Sequence, residues 1–128
     1  MANEWKLVRE TAIPIPFTVA TTFEKGTALK IVDPNVVEAT AADADRFIGV
    51  AATEVVTGQT KCDVWTSGVF IVTDSGAGVV AGDTLKMNGA NVVAAQDEAG
   101  AMAPSETVGI ALETAGAGNT FLALIGKP

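Results

Sequence analysis

At 128 residues the chain carries about one domain's worth of core, with no His and a single Cys, so the usual general base, proton shuttle, commonest metal ligand and internal disulfide are all missing. Eight Lys+Arg stand against fifteen Asp+Glu, giving −7, and the cations are spread singly, which speaks against a nucleic-acid partner and an anionic membrane surface. The apolar fraction is 48% but aromatics are only 5%, and 22 Ala, 16 Val and 15 Thr against 3 Ser make the chain small-residue-rich and β-branched.

The N-terminus lacks the basic region and apolar run of a signal peptide, and no stretch approaches the ~20 apolar residues of a membrane span. Residues 1–22 read as an extended arm. Ile13-Pro14-Ile15-Pro16 fixes φ at two positions and removes two backbone donors, which favours an extended or edge conformation. The apolar residues Trp5, Leu7, Val8, Ile13 and Ile15 are too few and irregular to make a core of their own. Two readings stay open: an arm packed on its own fold, or one laid on a partner.

From residue 23 to 128 a single β domain is expected. Short Val/Ile/Thr/Phe segments between Gly, Asp and Asn punctuation predict strands at 17–22, 27–32, 35–39, 47–54 and 60–66. Five more follow at 69–73, 84–87, 91–95, 107–113 and 120–125. Brief Ala-rich helices are expected at 40–46 and 98–103, the second ending at Pro104. Ten short strands in this length imply an all-β fold, a small barrel or sandwich.

An internal repeat underlies the pattern. Gly26-Thr27-Ala28-Leu29-Lys30 matches Gly82-Asp83-Thr84-Leu85-Lys86 at an offset of 56, which also carries Asn35-Val36-Val37 onto Asn91-Val92-Val93. After a four-residue insertion, an offset of 60 carries Gly49-Val50-Ala51 onto Gly109-Ile110-Ala111, Gly58 onto Gly118 and Thr60 onto Thr120. The domain is therefore read as two copies of one β-unit, about 25–68 and 82–126, burying their faces in one barrel-like core. Gly49 and Gly109, each between β-formers, indicate a bulge or a close backbone approach.

Candidates for chemistry are poor. Asp43-Ala44-Asp45 with Glu38 lacks the alternating ligands and closing bidentate Glu of a calcium loop, and Asp97-Glu98 reads as a solvated loop. Cys62 has no histidine to activate it and reads as a small buried residue. Asp74-Ser75-Gly76-Ala77-Gly78 looks superficially like a phosphate loop, but no Gly-Lys-Ser/Thr and no helix follow. Lys86-Met87 does not sit in the context of a biotinyl or lipoyl carrier lysine. No catalytic residue, cofactor or metal site is expected.

Ile48-Gly49-Val50-Ala51, Thr60 and Trp65-Thr66-Ser67-Gly68-Val69-Phe70 together resemble the core of lambda-type head decoration proteins of tailed phages. More broadly, 26–125 is similar to the phage capsid cement proteins, with the Gly-Val-Ala strand at 49–51, the Ser/Thr-Gly-Val-Phe strand at 67–70, the Gly-Asp turn at 82–83 and the Gly-Ile-Ala strand at 109–111. The resemblance implies a structural virion protein, made in the host cytoplasm, that binds the outside of an icosahedral capsid and stabilises the coat lattice. Its implied partners are the major capsid protein and other copies of itself, with a homotrimer favoured and a dimer the alternative. An extended arm in such proteins often pairs with coat strands, which marks Trp5, Leu7, Val8, Ile13, Pro14, Ile15 and Pro16 as capsid-binding candidates. The duplicated, longer C-terminal half departs from the lambda-type pattern. The competing reading is a receptor- or glycan-binding module on the virion surface; a metal-dependent hydrolase ranks last.

Overall fold

The computed structural model describes residues 3–42, 45–96 and 106–126; Asp43-Ala44, Asp97-Glu98 and the helix expected over 98–103 lie outside them. Within the described residues the fold is β throughout, with strands β1 (Lys6–Glu10), β2 (Ile15–Val19), β3 (Ala28–Asp33), β4 (Val36–Ala39), β5 (Phe47–Ala51), β6 (Lys61–Trp65), β7 (Gly68–Asp74), β8 (Thr84–Met87), β9 (Val92–Ala95), β10 (Thr107–Ala111) and β11 (Thr120–Ile125). The ten expected strands correspond to β2–β11, and β1 is an additional one. Where a helix was expected over 40–46, residues 40–42 and 45–46 form an irregular connection. The Asp45 carboxylate accepts the Ala41 and Ala42 amides there, at 2.7 and 2.9 Å, a local bond that competes with helix formation.

The strands close into two five-stranded barrels. The first runs β2-β4-β3-β5-β6; the second runs β7-β11-β10-β8-β9 and closes through a parallel β7–β9 pair, with β1 added outside on β7. The two have one topology: β2 pairs parallel with β4 as β7 does with β9, and each later antiparallel pair has its counterpart. The repeated unit is thus longer than the sequence matches, because β2 and β7 open the two copies. At position 35 and again at 91, asparagine takes the left-handed turn conformation (φ 60° and 59°) that a tight hairpin demands and that Asn tolerates.

The Gly-Val-Ala segments explain themselves. Leu29 faces Gly49 while Lys30 faces Phe47, so Ile48 is an extra bulged residue; in the second barrel Leu85 faces Gly109, Lys86 faces Thr107, and Val108 is the extra one. Both glycines lie against the next strand. A Cβ on Gly49 would fall 2.5 Å from the Trp65 carbonyl oxygen, and one on Gly109 would meet the Leu124 carbonyl. The final turns differ slightly: the Val19 amide donates to Thr60 O, and the Asp74 amide to Asn119 O. Asn119, and not Thr120, therefore stands in the place of Thr60, because the second copy's turn is one residue shorter.

Two interiors result, where the repeat alone suggested one. Val19, Phe23, Leu29, Val37, Ala51, Val55, Cys62 and Val64 fill the first barrel. The second barrel's core runs on into the junction, where it takes in Ala28, Phe47, Val50 and Trp65 from the outer wall of the first. A one-sided strand hides alternate residues, but β5 hides Val50 and Ala51 together because a barrel lies on each side of it. Trp65 and Phe70 rings meet at 5.8 Å across the junction.

One electrostatic feature stabilises the connection after β4. Lys30 Nζ lies 3.6 Å from both Glu38 and Asp45. Partial burial raises the Asp45 carboxyl, but the Ala41 and Ala42 amides and Lys30 outweigh it and hold its pKa below the ordinary 3.8. A depressed folded-state value contributes stability above the unfolded pKa, which is lost as pH falls through the folded one. Thermal melts from pH 5 to 2.5 should therefore show a shallower acid decline for Asp45→Asn than for the parent, with the curves converging below the folded pKa; parallel curves would remove Asp45 from this role.

Candidate functional site

The segment that holds the capsid-binding candidates is extended, and its strands pair with their own chain. β1 runs antiparallel to β7, pairing Lys6 with Ile71, Leu7 with Phe70, Arg9 with Val69 and Glu10 with Gly68, and Val8 bulges between the pairs. Among the described residues β1 has no neighbour on its far side. Its outer backbone groups form a free sheet edge, with Lys6, Arg9 and Glu10 exposed along it. β2 then enters the first barrel, with Ile15 opposite Val64 and Pro16 opposite Asp63.

The prolines fall where no donor is needed. Thr18 donates its amide to Asn35 O on the β4 side, so by the two-residue period Pro16 and Pro14 point their nitrogens the same way, beyond the end of β4. Pairing on that side begins only past them, as their lack of N–H requires.

The candidate residues separate by environment. Trp5 is buried: its amide donates to Gly26 O at 2.8 Å, its indole N–H donates to Asn91 O at 3.0 Å, and its ring stacks on Phe47 at 5.4 Å. It offers no surface, so it belongs to the core and not to a docking face. Leu7 and Pro14 are half-buried, while Val8, Ile13, Ile15 and Pro16 are exposed, Ile13 most of all at 83%. Asn91, fully buried, ties the barrels further: its Oδ1 accepts the Ala28 amide at 2.8 Å, so Trp5 and Ala28 converge on one residue of the second barrel.

The chemical candidates are occupied by the fold itself. Asp74 is buried and accepts the Gly76 and Gly78 amides at 3.2 and 3.1 Å, so the loop's own carboxylate fills the place where a phosphate would sit. Cys62 is buried in the first barrel with its thiol donating to Asp63 O at 3.2 Å. Among the described residues there is no group of three His, Cys, Asp or Glu able to hold a metal ion. The exposure of Ile31, Val32, Ile110 and Leu124 was not identified from the sequence. The signal for Ile110 was present, since a strand apolar at two successive positions, as at Ile110-Ala111, has one apolar side chain on its outer face.

What remains is a pair of β-barrels with a free strand edge and exposed aliphatic side chains. The sequence matches the phage cement protein family over residues 11–126, and the chain belongs to that family. It is thus a capsid-associated structural component of a phage virion. Among solved structures, the head fiber gp8.5 N base of bacteriophage phi29 has the same fold, with a TM-score of 0.56 at 19% identity over 89% of this chain and 93% of that one. No curated protein matches the sequence.

Proposed function

We propose that the protein binds the outer surface of an icosahedral phage capsid and stabilises its coat lattice, with the major capsid protein as partner and a homotrimer as the unit that binds. Synthesis in the host cytoplasm precedes addition to the capsid. The observation that supports this most is the free edge of β1, where Leu7 and the bulged Val8 lie beside unpaired backbone groups in a family of capsid cement proteins. Strand addition by a coat segment uses such an edge, with main-chain bonds for affinity and side chains for register. Pro14 and Pro16 keep added strands off the rim of the first barrel. Many copies on a lattice turn a modest contact into a firm one through multivalency.

Purified protein added to undecorated capsids of the same phage should saturate outer sites and raise the temperature at which the shells disrupt. Val8→Asp should weaken capsid binding on the order of tenfold or more while leaving the free protein's melting temperature unchanged, since Val8 is exposed. Failure of the unmodified protein to add to capsids would sink the proposal; full binding by Val8→Asp would move the contact away from β1.

A further inference from the structure

The two barrels meet through unlike surfaces. The outer wall of the first, at Ala28, Val50 and Trp65, covers the end of the second at which β7 begins and the β8–β9 hairpin turns, at Phe70, Met87 and Asn91. Because the barrels are copies, each surface exists twice. The contact within the chain uses one wall and one end, and leaves the other wall and the other end open.

The equivalent residues make this concrete. Val50 and Trp65 pair across β5 and β6; their counterparts across β10 and β11 are Ile110 and Leu124, also a direct pair. Val50 and Trp65 are 0% and 8% exposed, whereas Ile110 and Leu124 are each 42% exposed. On the ends, Phe70 and Met87 are fully buried, whereas Ile15 and Ile31, which hold their places in the first barrel, are 47% and 40% exposed. Asn91 is buried at the junction, and Asn35, with the same left-handed backbone, stands exposed at the equivalent hairpin. Trp5, which fills the junction against Phe47, has no repeat counterpart. At the corresponding place on the second wall is a groove lined by Thr84, Thr107, Ile110 and Leu124, and Ile13, projecting at the open end, is the side chain left to fill it.

We infer that the open end of the first barrel, at Ile15, Ile31 and Asn35, docks on the open wall of the second barrel, at Ile110 and Leu124, of another copy of this chain. The contact between molecules repeats the contact within one. It carries the same polarity, end on wall, so it is heterologous: each copy gives one surface and receives the other, and a finite assembly must close as a ring. This deepens the self-association part of the proposed function, and leaves the β1 edge with Val8 for the coat.

The test is made in solution without capsids, so its failure is separate from failure of capsid binding. Sedimentation of the full chain should give a closed oligomer. Ile15→Asp and Ile110→Asp should each raise the dissociation constant on the order of 100-fold and give monomers, with unchanged circular dichroism. Mixed in equal amounts, the two variants retain one good wall and one good end between them, and should form a 1:1 dimer that grows no further. Ile15→Thr and Ile110→Thr, which keep a β-branched side chain, serve if an Asp variant does not fold, and should weaken assembly in the same direction. A monomeric parent at high concentration, an oligomer untouched by either substitution, or a mixture that stays monomeric would each overturn the inference.

Discussion

Replacing Trp5 with alanine should cost about 3–5 kcal/mol, the range for emptying a buried large aromatic site. Trp5 is 3% exposed, touches Phe47 and Phe70, and closes the junction through its bond to Asn91 O. Against a typical total of about 5–15 kcal/mol, the loss is a large share of the whole stability. A fall in Tm on the order of 15 °C is expected. Trp5→Phe keeps most of the ring packing but removes the indole N–H bond to Asn91 O, and should cost about 1–2 kcal/mol. Hydrogen exchange should then quicken first along β1, whose position depends on this anchor. A Trp5→Ala melt within 2 °C of the parent would show that the junction is held without it. Removal of residues 2–16, a natural way to probe the segment as an arm, would delete this anchor and the start of β2 together, and its effect on capsid binding would report unfolding.

Gly109→Ala should be nearly as damaging for an unrelated reason. The added Cβ meets the Leu124 carbonyl, with Ile125 Cα 2.9 Å away, and both belong to backbone held in the β10–β11 ladder. The strands must separate locally or the bulge must unwind, which puts the cost at or above the top of the ~1–3 kcal/mol usual for overpacking. Gly118→Ala is the informative control. Nothing lies within 4 Å of a Cβ there, but φ is +79°, so only backbone strain of about 1 kcal/mol applies. Chemical denaturation of both variants should rank Gly109→Ala well below Gly118→Ala; equal losses would mean that the close approach is relieved cheaply.

How far the fold could be read from the sequence depended on whether the signal was local. The repeat and the bulge or close approach at Gly49 and Gly109 are written in residue type, as matching segments and as glycines between β-formers. That each copy closes its own barrel was not legible, because closure rests on the parallel pairs β2–β4 and β7–β9, and β2 shares little sequence with β7. Trp5 was misplaced for the same reason. An isolated aromatic in a Pro-rich segment looks like a docking residue, and nothing nearby reveals that its partners are Asn91 and Phe70. The β1 edge was half legible: an extended segment was expected, but its pairing with β7 spans about sixty residues.

That pairing orders events in time. Lys6 finds its partner at Ile71 and the Trp5 indole at Asn91, so this segment is not fully placed until residue 91 has been made. The first barrel, by contrast, has all five of its strands once residue 65 is out. Trp5 bonds Gly26 O beside the first barrel and Asn91 O in the second, so its full docking requires both barrels to be joined.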